Sequence, residues 1–242
     1  MCYFAMSLTL VFVEAAIQRI PEEIRNHAQI TRYASKRHKL PEEVLLDRAF
    51  HHSAMKQLPR ANRELFPEKM GRPDIVHNAL LQVLETPLNW ENHLKVAIHT
   101  QDGYLITVNP KIRLPKNYSR FVGLVEQLYA EGRVPLEGEP LLVLEKCPLK
   151  HSVERFAPSK IIGFTRLGDP ELLRNVANSA TKEANPMILI GGFPRGHFSE
   201  ETRELMSEAY CVDKQPLDAW IVAGRFVYDF EWFIGVARKR LA

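Results

Sequence analysis

Cysteine is scarce in this sequence: Cys2, Cys147 and Cys211 are its three examples in 242 residues, and none falls in a C-x-x-C spacing. That argues against a disulfide framework and a cysteine-based zinc site, and favours a reducing, cytoplasmic setting. Long apolar runs are missing too, so no segment reads as a membrane span. The nine histidines form no H-E-x-x-H or comparable ligand spacing, which speaks against a resident metal. Neither a P-loop nor G-x-G-x-x-G occurs, and no serine sits in a nucleophile elbow. Net charge is small, +3 from 32 basic and 29 acidic residues, so a nucleic-acid surface has to come from where charge is placed. The apolar start at 2–13 lacks a basic leader and runs into Glu14. Residues 8–13 therefore read as a buried first strand rather than a signal sequence.

What is present is an ordinary globular composition, 45% hydrophobic and 25% charged, in a chain long enough for one large α/β domain or two small ones. Residues 32–39 are basic and read as a solvated loop. A helix is predicted from Pro41, with Glu42 and Glu43 in its first turn, to Leu58 before Pro59. Residues 59–73 read as a loop, and from Asp74 an apolar stripe (Ile75, Val76, Ala79, Leu80, Val83, Leu84) predicts a helix. Alternation on either side of Asp102-Gly103 predicts a β-hairpin. Asn117 is placed to cap a helix that ends at Gly132. Short apolar runs at 141–144, 160–164, 187–190 and 209–212 alternate with helical stretches near 169–182 and 199–207. The fold class that follows is α/β, a mainly parallel sheet with helices on both faces. The aromatic tail, 217–241, reads as a helix buried against that sheet or a second subunit.

Three places carry candidate chemistry. Between Gly103 and Val125 lie Lys111, Arg113, Lys116 and Arg120 with no acid among them, interleaved with Tyr118 and Phe121. Prolines stiffen this run and it ends at a helix start, which suits phosphate and unpaired bases. A solvated loop with Phe121 in the core accounts for the same residues. Arg72-Pro73-Asp74 opens the patterned helix. Asp74 serves either as a cap or first-turn acid, or as the carboxylate orienting Arg72 toward an anion. Gly191-Gly192-Phe193-Pro194-Arg195-Gly196 follows a strand, the position where open α/β sheets admit a ligand, though a glycine turn alone says little.

Taken in order, LVFVEAA, LLDRAFHHSAM, GRPDIVH, LLQVLETPLN, IHTQDGYLITVNPKIRLPKNYSRFVGL, GGFPRG and CVDKQPLDAW resemble the ribosomal small-subunit pseudouridine N1-methyltransferase family, a branch of the knotted SPOUT methyltransferases. The resemblance runs from about residue 8 onward, and the length is similar to the archaeal branch. It implies one domain spanning 1–242, with a basic hairpin and loop insertion at about 94–120. It also implies a C-terminal trefoil knot, a feature nearly absent from other proteins, and a homodimer. S-adenosylmethionine is the implied cofactor, held by Thr165, Gly191, Gly196 and the segment Val212, Asp213, Lys214, Gln215, Pro216 and Leu217. Small-subunit ribosomal RNA is the implied partner, contacted by Arg72, Arg113, Lys116 and Arg120, with Asp74 steadying Arg72. Lys116 departs from the arginine common at its position, losing the bidentate fork while keeping the charge. The resemblance points to no catalytic base, no metal and no membrane. Two other readings stay open: a non-catalytic RNA-binding assembly factor, and a related knotted enzyme acting on a ribose or another base.

Overall fold

The computed structural model describes residues 7–58 and 67–242; Cys2, Pro59 and most of the proline-containing loop lie outside them. The strands are β1 (Leu8–Ala15), β2 (Leu94–Thr100), β3 (Tyr104–Val108), β4 (Arg133–Val134), β5 (Leu142–Lys146), β6 (Lys160–Pro170), β7 (Pro186–Gly191) and β8 (Glu208–Cys211). The helices are α1 (Ala28–Lys36), α2 (Arg48–Met55), α3 (Pro73–Leu84), α4 (Pro87–Trp90), α5 (Tyr118–Glu131), α6 (Leu149–Glu154), α7 (Leu173–Ala180), α8 (Glu200–Glu204), α9 (Ala219–Ile234) and α10 (Val236–Leu241).

These strands form one sheet in the order β4-β5-β3-β2-β1-β7-β6-β8. The run from β2 to β8 is parallel, and β3, β5 and β4 extend it antiparallel. The run at 141–144, read above as part of the parallel alternation, thus belongs to the antiparallel wing. It follows the hairpin and helix α5, and pairs back on β3 with Ile106 opposite Leu144. Side-chain alternation along β1 shows why the sheet is covered twice. Leu8, Leu10 and Phe12 enter a core shared with α3, α5, α7 and α9, while Val11 and Val13 enter another with Leu149 and Val153 of α6. A third cluster gathers α1, α2 and Met70.

Local structure departs from the sequence pattern at two N-terminal places. The helix expected over 41–58 is a short 3-10 turn at Pro41–Glu43, then an extended stretch, then α2 with Asp47 as its cap. Val44 and Leu46 are buried in the third core, and that burial outweighs the helix signal of Pro41, Glu42 and Glu43. Residues 32–39 are a solvated loop only in part: Arg32 and Lys36 are exposed, but on a helix. Their first half is helix α1, and Arg37 and Lys39 converge on Glu126 of α5, whose side chain is wholly buried. Both Glu126 oxygens are engaged, with Leu45 N–H donating as well. The α5 start is as expected: Asn117 Oδ1 accepts from Arg120 N–H, and Gly132 closes the helix at φ 75°.

The tail is two helices. Gly235, at φ 72°, ends α9 and starts α10. Val222, Phe226 and Phe230 of α9 are buried in the main core, each contributing about 1.5–3 kcal/mol. Its other face leaves Tyr228 and Trp232 at least half exposed.

Candidate functional site

A cleft of about 610 Å³ opens beside the middle of β6 and the carboxyl ends of β7 and β8. Three segments far apart in sequence line it: Phe164 to Arg166, the glycine turn from Ile190 to Phe198, and Tyr210 to Trp220. Thr165, Gly191, Gly196, Val212, Asp213, Gln215, Pro216 and Leu217 all belong to its wall. Lys214 does not, although its neighbours on both sides do. Asp213 Oδ1 accepts from Gln215 N–H, a local turn that lets Lys214 project away as an exposed side chain.

The glycine turn is built by close approach. Gly192 lies between two backbone bonds to β1, its N–H donating to Val13 at 2.9 Å and its carbonyl accepting from Ala16 N–H at 2.8 Å. A Cβ on Gly192 would lie 2.8 Å from the Ala15 Cα. At Gly196 the requirement is conformational, since φ there is +96°. A Cβ at Gly196 would also approach the Lys69 side chain to 3.2 Å, so bulk at this position strains the turn and presses on Lys69.

Glu14 and Lys69 hold the turn from below. One Glu14 oxygen accepts from Lys69 Nζ at 2.5 Å; the other accepts from Ser199 N–H and Thr202 Oγ1, both at 2.7 Å. Lys69 Nζ also donates to the His197 carbonyl and sits 4.4 Å from the centre of the Phe193 ring. Burial raises the Glu14 pKa, but the Lys69, Ser199 and Thr202 hydrogen bonds outweigh it and hold the carboxyl below its usual value. Sequence reading missed both residues. Glu14 has a visible signal, an acid at the end of a wholly apolar strand; Lys69 has none.

Arg72 lines the same cleft. Its Nε and Nη2 donate to the two Asp74 oxygens at 2.8 and 2.7 Å, and this hydrogen-bonded pair raises the Arg72 pKa. Asp74 stands in the first turn of α3, whose cap position is Arg72. Asp74 is thus both the first-turn acid of α3 and the carboxylate that orients Arg72.

Arg113, Lys116 and Arg120 are exposed and lie outside the cleft wall. Lys116 is 3.6 Å from Glu85, a solvent-exposed pair of little energetic weight. The loop that carries them is docked rather than loose. Asn89 Nδ2 donates to the Pro110 carbonyl at 3.0 Å, His77 Nε2 to the Pro115 carbonyl at 2.8 Å, and the Tyr118 hydroxyl to Asp47. Anchored at both ends, the loop presents Arg113 outward. If the loop holds RNA, as the sequence resemblance implies, Arg113→Ala flattens the log–log salt dependence of binding by roughly 0.7–0.9, and addition of Arg120→Ala by about as much again. Binding measured by fluorescence anisotropy across a salt series checks this; RNA binding unchanged at every salt concentration would remove the loop from the interface. Among the described residues no group of histidines, cysteines and acids could hold a metal ion, and no helix is long and apolar enough to cross a membrane.

Comparison with known proteins places these features among relatives. The model of the EMG1/NEP1 methyltransferase family matches residues 10–231. The ribosomal RNA small subunit methyltransferase Nep1 of Thermococcus kodakarensis is 38% identical over 229 residues, covering 95% of this chain and 100% of that protein. The protein of the same name from Pyrobaculum neutrophilum is 39% identical over 213 residues, covering 88% and 92%. Among solved structures, Archaeoglobus fulgidus Nep1 bound to S-adenosylhomocysteine superposes with a TM-score of 0.82 at 33% identity, covering 95% of this chain and all of that one.

Proposed function

The chain belongs to the EMG1/NEP1 methyltransferase family, and from that premise we propose that it methylates N1 of a pseudouridine in small-subunit ribosomal RNA. It is an S-adenosylmethionine-dependent methyltransferase of ribosomal RNA, as its relatives' names and the S-adenosylhomocysteine-bound neighbour support. The observation that carries the site assignment is the convergence of Thr165, the glycine turn, Val212, Asp213 and residues 215–217 on one cleft whose wall includes Arg72. The cleft fits the cofactor. Its volume suits a nucleoside with an amino-acid tail, and Gly191 and Gly196, both in its wall, lie in a turn packed too closely against Phe193 and Lys69 for larger residues.

S-adenosylmethionine supplies an electrophilic methyl group on its sulfonium. Nitrogen 1 of pseudouridine carries an imide-like proton, where uridine has its glycosidic bond. Transfer would require that nitrogen to give its proton to solvent and to form a bond to the methyl carbon as the bond from that carbon to sulfur breaks, with S-adenosylhomocysteine as the leaving group. The chain's residues act chiefly by position, which contributes about 7–11 kcal/mol in well-oriented reactions. In this reading Thr165, Gly191, Gly196, Val212, Asp213, Gln215, Pro216 and Leu217 hold the cofactor, and Lys214 only flanks it. Arg72, with Arg113, Lys116 and Arg120, holds the RNA. Asp74 is an orienting residue, because Arg72 occupies both its oxygens. A base within folded RNA is splayed out at a cost of a few kcal/mol, which the phosphate contacts of the loop offset.

The reading takes 1–242 as one domain with its RNA-facing insertion at about 94–120. It threads the C-terminal part as a trefoil knot, in keeping with late strand β7 lying between β1 and β6. It pairs two copies across the outer face of α9, where Tyr228, Trp232 and Phe233 are exposed, and places the enzyme in the cytoplasm. Methyl transfer is expected to an RNA hairpin containing pseudouridine and not to the same hairpin with uridine. Mass mapping after incubation with labelled cofactor checks it. Equal labelling of both hairpins favours a related ribose or base methyltransferase, and labelling of neither favours an RNA-binding assembly factor.

A further inference from the structure

We infer that the lobe built from α1 and α2 is a further RNA-binding surface. On it the Phe50–Tyr33 pair stacks an unpaired base, and Arg32 and Lys36 take the flanking phosphates. The inference rests on the functional reading above for the identity of the RNA, and on the geometry of this lobe for the place.

Charge on this lobe has one sign. No acid lies between Glu23 and Glu42, a stretch that holds Arg25, Arg32, Lys36, Arg37 and Lys39, and α2 has none either. Arg37 and Lys39 are spent on Glu126, and Arg25 Nε donates to the Ile20 carbonyl. Arg32 and Lys36 remain, exposed one turn apart on α1 and without an ion pair among the described residues. Lys36 is also one turn from Tyr33, so cation and ring share a face. Phe50 of α2 is 47% exposed, and its ring centre lies 5.3 Å from that of Tyr33 at a tilt of 34°. A lone exposed phenylalanine needs no explanation; this one is half of a braced pair. The buried His51 ring meets Tyr33 at 89° with centres 4.6 Å apart, and the Arg37 guanidinium lies 5.4 Å from the Tyr33 ring centre. His51 is itself locked, because its Nδ1 accepts from Asp47 N–H at 3.0 Å.

The lobe is also joined to both places already read as holding RNA. The backbone N–H of Arg48, which opens α2, donates to the Gly71 carbonyl at 2.8 Å, one residue before Arg72 of the cleft wall. Asp47, the cap of α2, accepts from the Tyr118 hydroxyl, where the basic loop meets α5. The first turn of α2, which carries Phe50, therefore stands between the cleft and the loop. A preformed pair of rings beside unpaired cations is the combination a single strand satisfies, its base on the ring and its phosphates on the cations. Because the rings are already fixed, stacking on them costs little side-chain ordering.

The test compares Phe50→Leu, which keeps an apolar cover on Tyr33 and removes the ring, with Phe50→Tyr, which keeps a stacking face. A third protein carries Arg32→Gln with Lys36→Gln. Each is read by fluorescence anisotropy with a pseudouridine hairpin RNA bearing unpaired flanks, across a salt series, and by calorimetric titration with S-adenosylhomocysteine. Phe50→Leu is expected to weaken RNA binding roughly five- to fiftyfold with the log–log salt slope retained, and Phe50→Tyr to recover the affinity. The Arg32 and Lys36 changes lower the slope by roughly 0.7–0.9 for each phosphate released. S-adenosylhomocysteine affinity stays the same throughout. Three results overturn the surface: full RNA affinity in Phe50→Leu, equal losses in Phe50→Leu and Phe50→Tyr, or a parallel loss of S-adenosylhomocysteine affinity. The first means that the lobe faces something other than RNA, and the other two make the ring a packing element. An unaltered protein that transfers no methyl group, yet loses RNA affinity in Phe50→Leu, sinks the proposed reaction alone. One that transfers methyl and binds RNA equally well as Phe50→Leu sinks this surface alone.

Discussion

Glu14→Gln is expected to lower folding stability by about 3–5 kcal/mol, the usual cost of removing one partner of a buried ion pair. Lys69 is only 7% exposed at its side chain, so it cannot recover its hydration when the carboxylate is gone. The amide keeps one acceptor and turns a donor toward the other set of donors, either Lys69 Nζ or the Ser199 and Thr202 pair. Glu14 also sits at φ 51°, a left-handed backbone conformation that costs roughly 1–3 kcal/mol when a non-glycine residue is held in it. The same three bonds hold that conformation in place. Cofactor affinity should fall about tenfold, since the glycine turn loses its side-chain tie through Lys69 and Ser199 to β1 and keeps only the Gly192 backbone bonds.

The pH dependence of this variant carries a definite sign. The folded pKa of Glu14 lies below its ordinary value of 4.5. Its contribution is therefore complete above that value and disappears as pH falls through the folded pKa. Urea unfolding of the two proteins should differ most near pH 7 and converge below pH 4.5. A stability difference independent of pH would show that the carboxylate charge is not what holds the turn.

Gly192→Ala is the second large effect, and its cause is steric. The added methyl would stand 2.8 Å from the Ala15 Cα, a backbone atom that cannot rotate away. Both flanking backbone bonds would have to lengthen for β7 to retreat from β1. Overpacking of this kind costs about 1–3 kcal/mol, which corresponds to roughly a five- to hundredfold loss of S-adenosylhomocysteine affinity if the turn moves as a unit. Calorimetry with S-adenosylhomocysteine and a thermal melt check the two halves of this expectation. Unchanged cofactor affinity would mean that the turn tolerates displacement and that its wall of the cleft is not the binding surface.

Much of the local structure was legible because its causes are local. Asn117 caps α5 three residues away, Gly132 ends it, and Asp102-Gly103 turns the β2–β3 hairpin. The reading failed where burial overrode propensity, as at Val44 and Leu46, and where Glu126 drew Arg37 and Lys39 out of solvent from nearly ninety positions along the chain. It also had no means of setting Lys214 aside, since one exposed position within a lining segment depends on a turn formed by its neighbours.

By itself the sequence determined the family, the alternation of strands and helices, the acid-free basic loop and the three segments that form the cleft. These rest on motif order and on periodicities that act within a few residues. Only the tertiary structure decided which residues support the cleft. Lys69, Ser199 and Thr202 reach Glu14 across 55, 185 and 188 positions. Contacts of that span follow from sheet order, with late strand β7 laid beside β1, and no short-range pattern in the chain encodes them.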